Sequence, residues 1–312
     1  MKSVTVFAPA TVANVACGFD IFGFAVNEPG DVAKVTLREN PGVEITRITG
    51  DNGKLPKTAE KNTAGFAALR YLETIKSQQG VSIELHKKMP LSSGLGSSAA
   101  SAVAVLFAIN TLFDNRLTKS ELLGIALQSE KLACGAAHAD NAAPALFGGF
   151  LLIRENNPPD IVELPVPENL YCTIIHPEIE INTADARNIL SPNVPLKDAV
   201  KQWANTAGLV AGLYRKDLTL ISRSMNDYII EPQRAKLIPH FYEIKKAALD
   251  RGALGCSISG SGPSLFALSN SQEIAQKIAG SMSAVLANYK ICNQIYISTI
   301  NTEGPKIIAQ EG

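Results

Sequence analysis

The stretch 98–113 reads as a helix without a polar face, and this constrains the fold more than any other feature of the chain. Ala99, Ala100, Ala102, Val103, Val105, Leu106, Phe107 and Ile109 cover all its sides. A surface helix keeps one apolar stripe, so this one must be enclosed all round. It is too short to span a bilayer, so the enclosure has to be protein. Its start lies in the run Pro90-Leu91-Ser92-Ser93-Gly94-Leu95-Gly96-Ser97-Ser98-Ala99-Ala100. There Gly94 and Gly96 allow a tight turn and close backbone approach. The serines supply hydroxyls, and the helix start presents free N–H groups and the positive end of its dipole. Such a loop, aimed by a buried helix, forms a cradle for polyphosphate. No G-K-[ST] follows and the pattern is not G-x-G-x-x-G, so it is neither a P-loop nor a dinucleotide fingerprint.

The 312 residues suffice for one large or two medium domains, and the 46% hydrophobic, 19% charged composition is that of an ordinary soluble protein. Lys+Arg and Asp+Glu number 29 each. With no net charge, no global field favours nucleic acid or an anionic membrane, and any phosphate site must be local. Five scattered cysteines without a C-x-x-C or Cys/His cluster argue against zinc and against a disulfide framework. The opening MKSVTVFAPA lacks the long apolar run of a signal peptide, so a cytoplasmic location is expected.

Strands are expected at 4–7 (ending at Pro9), 32–37, 43–48, 81–86, 147–153, 170–176, 256–259, 265–268 and 294–300. A turn at Asn40-Pro41-Gly42 joins the second and third of these. Helices are expected at 62–75, 98–113, from the capping box Thr118-Lys119-Ser120-Glu121 to about 134, and at 184–190, 196–214, 218–226 and 239–251. Asn156-Asn157-Pro158-Pro159 breaks the chain and is the candidate boundary between domains 1–155 and 156–312. The mixture lacks strict βαβ alternation, which favours α+β.

Three further features carry chemistry. Glu130 falls on the same helical stripe as Leu122, Leu123, Ala126 and Leu127, where a carboxylate is costly unless a cation or several donors meet it: a nearby lysine or a frayed helix end on one reading, a Mg2+ ion on the other. His138-Ala139-Asp140-Asn141 lies in an Ala- and Gly-rich context, where Asp140 or Asn141 could orient an acceptor hydroxyl. Arg187 and Arg234 could each grip a carboxylate or phosphate, and Ser259-Gly260-Ser261-Gly262-Pro263-Ser264 is a second glycine loop.

Taken in order, the segment 8–20 (APATVANVACGFD), the loop 90–100 and the loop 259–264 resemble the three motifs of the GHMP superfamily of small-molecule kinases. Asn14 through Gly18-Phe19-Asp20, and His138-Ala139-Asp140-Asn141 leading to Gly148-Gly149, are most similar to its homoserine-phosphorylating branch. The resemblance implies a two-part fold, with an N-terminal half like ribosomal protein S5 domain 2 and a ferredoxin-like C-terminal half. It implies ATP as phosphoryl donor with Mg2+, and L-homoserine as acceptor on the route to threonine. By position, residues 90–100 would hold the triphosphate, with Asn62 near the adenine. Ser97 and Glu130 would reach Mg2+. Asn14, Asp20, His138, Asn141, Arg187, Arg234 and Gly260 would surround homoserine, with Asp140, Asn141 and Arg187 at the chemistry. Relatives are often homodimers, so a second copy is the expected partner. Another small alcohol such as mevalonate, or a non-catalytic metabolite binder on the same scaffold, are the alternatives.

Overall fold

The computed structural model describes residues 2–134 and 138–312, with the side chains of 132–134 left out. The first half runs β1 (Ser3–Ala13), β2 (Phe22–Arg38), β3 (Val43–Thr49), α1 (Thr63–Thr74), β4 (Gly80–His86), α2 (Ser97–Leu112), α3 (Lys119–Cys134), α4 (Ala139–Phe147), β5 (Phe150–Asn156) and β6 (Pro159–Leu164). The second runs β7 (Tyr171–Pro177), α5 (Thr183–Asn188), α6 (Leu196–Arg215), α7 (Leu218–Ser224), α8 (Glu231–Arg234), α9 (Phe241–Leu249), β8 (Gly255–Ile258), β9 (Leu265–Ser269), α10 (Gln272–Asn288), β10 (Asn293–Thr299) and β11 (Lys306–Glu311). The expected α+β two-part architecture is present.

Strands β11-β1-β2-β4-β3 form one sheet, with β5 attached to β2 and β6 to β5. The other sheet has the order β10-β7-β9-β8. Read from β7, that order is 4-1-3-2 with helices in both crossovers, the split βαβ arrangement of ferredoxin-like folds. As its composition demands, α2 is enclosed: Ala99 to Ala108 are buried except half-buried Phe107.

Several expectations change. β1 does not stop at Pro9 but runs on to Ala13, its pairing with β2 slipping between Pro9 and Thr11 so that the proline needs no ladder hydrogen bond. β2 begins ten residues earlier than its apolar alternation suggested. The 40–42 turn does not make a hairpin, because β4 inserts between β2 and β3 and pairs with β3 in parallel through α1. Residues 156–159 turn the β5–β6 hairpin. The segment expected to start a strand at Phe147 is instead the end of α4, a helix hidden by its internal Pro144.

The four-stranded sheet is buried on both faces. Ile175, Leu265 and Ala267 face α9 and α10, while Ile174, Phe266 and Leu268 join the core of the first half. Period-two alternation sends neighbouring residues to opposite faces in this way. An aromatic cluster spans the junction: Phe150 lies 5.9 Å from Phe22 and 5.4 Å from Phe24, and Phe24 meets Phe266 edge-on at 6.1 Å. Phe266→Ala should therefore cost about 3–5 kcal/mol in stability. Equilibrium denaturation in urea checks this, and a loss below about 1 kcal/mol would show that the ring does not join the sheets.

Candidate active site

The loop between β4 and α2 is fixed by what crowds it. Ser92, Gly94 and Gly96 have φ of 53°, 77° and 68°, in the left-handed region. A Cβ on Gly94 would strike the Ser259 carbonyl and lie 2.9 Å from Gly262 N. On Gly96 it would strike Thr11 Oγ1 and lie 2.7 Å from Asn141 Oδ1. The first glycine loop is thus pressed between the N-terminal segment, the second glycine loop and α4. Hydrogen bonds join the same parts: Thr11 N to Leu95 O (3.1 Å), Ser264 N to Ser93 O (3.2 Å), Gly260 N to Ala13 O (3.2 Å) and Ser259 Oγ to Gly94 O (2.8 Å).

These walls enclose a cleft of about 570 Å³. Leu91 through Ser98 line it, whereas Pro90 stands outside and Ala99 and Ala100 are wholly buried in the core behind it. Within the expected run 90–100 the side chains of Ala99 and Ala100 thus pack in the core, while the backbone start of α2 faces the cleft. α2 starts at Gly96 with no capping side chain. Its first N–H groups are left for a ligand.

The structure brings Asn14, Asp20, Asn62, Glu130, His138, Asp140, Asn141, Arg187, Arg234 and Gly260 to this one cleft. Some have their bonds committed within the protein. Asn14 donates to Gly260 O (2.8 Å) and accepts from Asp20 N (3.0 Å). Asn62 caps α1, accepting from the N–H groups of Ala64 and Gly65, and donates to Pro56 O. Arg234, buried at the end of α8, donates to Ala186 O and Gly260 O. Burial and the neighbouring Arg187 lower its pKa.

Asp20 receives both contacts of Arg187 Nη2, at 2.9 and 3.1 Å. His138 Nδ1 lies 3.5 Å from Asp20 Oδ2. Burial depresses the imidazole pKa, leaving it neutral at pH 7. Asn141 Oδ1 accepts from Thr11 Oγ1 at 2.7 Å, and its amide reaches Asp140 Oδ1 at 3.5 Å. α4 is held close by Gly23, where a Cβ would strike the Asp140 carbonyl. That carbonyl has no helical donor, because the residue four places on is Pro144. Ala137, which precedes the His138–Asn141 motif in the sequence, lies outside the described residues.

Glu130 is buried with Oε1 unpartnered, and burial raises its pKa against the pull of Ser98 and Lys87. Among the described residues, the buried side-chain polar atoms without a partner are Ser93 Oγ, Glu130 Oε1 and the two ring nitrogens of His138. All three residues face the cleft. A buried polar atom without a partner is costly, and one aimed into a cleft is satisfied by what enters.

Beneath the loop lies a feature missed from sequence. Lys87 Nζ pairs with Asp31 Oδ2 and donates to Ser97 O (2.9 Å) and Ser101 Oγ (2.5 Å). Ser97 Oγ donates to the same Asp31 oxygen (2.8 Å), and Lys88 N and Met89 N reach Oδ1. This network clamps α2 to β2 and β4. Its signal was present: Lys87 follows Val81, Ile83 and Leu85 on the inward face of β4, and Asp31 precedes Ala33 and Val35 on that of β2. Phe19 was missed too; its ring lies under both Arg187 (5.4 Å) and Arg234 (5.0 Å).

Family models for the GHMP kinases N terminal domain and the GHMP kinases C terminal match residues 62–149 and 209–288, so the chain carries both domains of this kinase class. A homoserine kinase of Chlorobium phaeobacteroides (strain BS1) is 50% identical over 99% of this chain and 100% of its own. The crystal structure of homoserine kinase from Cytophaga hutchinsonii is 60% identical with a TM-score of 0.96, covering 98% of this chain and 97% of that one. L. major mevalonate kinase in complex with R-mevalonate, 18% identical at a TM-score of 0.74 over 94% and 95% of the two chains, shares the fold. The chain belongs to the homoserine kinase family of the GHMP kinases.

Burial, with Asp20 adding repulsion, pushes the Asp140 carboxyl up to about 7 from 3.8. Above pH 7 the folded protein holds a buried carboxylate that the unfolded chain keeps in water; below about pH 4 both states are protonated. Asp140 therefore costs stability that appears as pH climbs from about 4 to 7, up to about 4 kcal/mol. Asp140→Asn should raise the thermal midpoint at pH 8 and raise it several-fold less at pH 4.5. Equal shifts at the two pH values would contradict this.

Proposed function

We propose that this protein transfers the γ-phosphoryl group of ATP to the side-chain hydroxyl of L-homoserine, giving O-phospho-L-homoserine for threonine synthesis in the cytoplasm. The observation that carries the reading is the gathering of unpartnered Ser93, Glu130 and His138 atoms on the cleft that opens at the uncapped start of α2. Among the described residues no helix is long and apolar enough to cross a membrane.

In this reading residues 1–155 hold the nucleotide. The free N–H groups of α2 and the hydroxyls of Ser92, Ser93 and Ser98 receive the triphosphate, with Asn62 walling the adenine end. Glu130 Oε1 and the Ser97 hydroxyl are hard oxygen donors of the kind that would hold Mg2+. When bound, that ion neutralises charge on the transferring phosphoryl group.

Residues 156–312 close the acceptor site over Asp20 and Asn14. The Asp20 carboxylate suits the homoserine ammonium. Arg234, already oriented by two carbonyls, offers its remaining N–H groups to the carboxylate. Neutral His138 and the Gly260 backbone shape the wall. Asn141, tethered by Thr11 and backed by Asp140, orients the hydroxyl. Its oxygen attacks the γ-phosphorus, the bond to the β,γ-bridging oxygen breaks, and ADP leaves. The hydroxyl proton passes to a phosphoryl oxygen, since a loose transition state needs positioning and charge neutralisation more than a strong base. Arg187 is freed from Asp20 by the incoming ammonium and turns to the developing charge.

ADP release from Mg-ATP should be rapid with L-homoserine and at background with mevalonate. No release above background with homoserine would overturn the proposal, and nucleotide binding without turnover on either alcohol would favour the non-catalytic binder. Glu130→Gln should lower kcat by about 100-fold or more while leaving the thermal midpoint unchanged or raised. A near-normal rate would remove Glu130 from the metal site.

A further inference from the structure

Asp20 and Arg234, the charges assigned to the two ends of the acceptor, stand on different elements. Asp20 closes the segment 14–20, and Arg234 closes α8. Between the two lies a small cavity of about 10 Å³, lined by Asn14, Ala16, Asp227, Ile230 and Arg234. That is about the room of one water, so close packing does not set the spacing of segment and helix. Nor does the segment hold itself in place. Asn14, Val15, Ala16 and Asp20 have φ of 71°, 43°, 60° and 61°, in the left-handed region that a β-branched residue such as Val15 resists most. Backbone of this kind persists only where its surroundings over-determine it.

Two bridges supply that constraint. In the first, Gly260 O accepts from both Asn14 Nδ2 and Arg234 Nη1, each at 2.8 Å. The second runs through Gln202, half-buried on α6. Its Nε2 donates to Cys17 O (3.1 Å) and to Asp227 Oδ1 (3.0 Å), and its Oε1 accepts from Tyr228 N (2.9 Å). Asp227 in turn accepts from Ile229 N, Ile230 N and Glu231 N, each at 2.9 Å, and so holds the start of α8. The amide is used in full. Cys17 O and the Asp227 carboxylate only accept and Tyr228 N only donates, so neither an ionised glutamate nor an apolar side chain could replace it.

We infer that Gln202 is a positioning residue of the acceptor site: it fixes the spacing of Asp20 from Arg234, and so favours a substrate that carries ammonium and carboxylate on one carbon. This role rests on homoserine being the acceptor, and Gln202 itself does not line the cleft. A ligand held by both charges feels any displacement of one against the other. A ligand held by a single charge is indifferent to it.

Steady-state kinetics of Gln202→Leu and Gln202→Glu, run beside the wild type, test this. Each should raise the KM for L-homoserine about 10-fold or more, the scale of a lost set of hydrogen bonds. The KM for ATP and kcat should stay within about twofold, the pattern of lost substrate binding and not of lost folded enzyme. 4-Hydroxybutanoate and 3-aminopropan-1-ol each keep one of homoserine's two charges. Their inhibition constants should be the same in wild type and variants. Thr206→Val removes the other side-chain donor to Cys17 O (3.0 Å) and leaves the link to α8 intact. It should shift the homoserine KM less than about twofold. An unchanged homoserine KM in either folded Gln202 variant would overturn the role, as would an equal loss for the one-charge alcohols or for ATP. So would a fall in kcat alone, or a loss in Thr206→Val as large as in Gln202→Leu. If the wild type itself shows no turnover with homoserine, the acceptor assignment fails and the role of Gln202 fails with it.

Discussion

The whole site depends on one backbone meeting, that of Gly94 with the 259–262 turn. Neither loop has room for a Cβ there, and the contact brings residues separated by some 165 positions into hydrogen bonding through Ser259 Oγ and Gly94 O. Around it the N-terminal segment adds Thr11 and Ala13, and α4 adds Asn141. The consequence is geometric. The start of α2, the donor of free N–H groups, is held at a fixed distance from Arg187 and Arg234, which belong to the other half of the chain.

Electrostatics explains why so enclosed a place stays polar. Glu130 and Asp140 are buried carboxylates whose pKa values are raised chiefly by desolvation. Beneath them the Lys87–Asp31 pair is satisfied by five further donors and acceptors, and so acts as a rigid floor and not as a reactive group. The contrast separates structure from chemistry. Fully bonded charges hold the loop, and incompletely bonded ones face the space a substrate would fill.

The α+β class, the enclosed helix, the glycine loop and Glu130 were legible in the sequence as local signals, whereas the two-part fold and Asn14, Asp20 and Asn62 came only through the resemblance to the GHMP kinases. Glu130 stood on an apolar stripe, the glycines flanked serines, and Thr118 and Glu121 do form their reciprocal cap. What was not legible depends on pairing across distance. β4 slipping between β2 and β3 leaves no mark in a turn tripeptide. α4 was masked by its internal Pro144. β11 was missed because all six of its residues are exposed, so no apolar alternation announces an edge strand held by β1 alone.

The central claim is that the unpartnered atoms of this cleft are completed by a metal-bound nucleotide on one side and an amino-acid alcohol on the other. A crystal structure with Mg2+, a non-hydrolysable ATP analogue and L-homoserine measures that directly. The account predicts the triphosphate against residues 92–98, Glu130 Oε1 about 2.0–2.1 Å from the metal, and the acceptor hydroxyl beside Asn141 about 3–3.5 Å from the γ-phosphorus. A nucleotide seated elsewhere, or a metal that ignores Glu130, would contradict it.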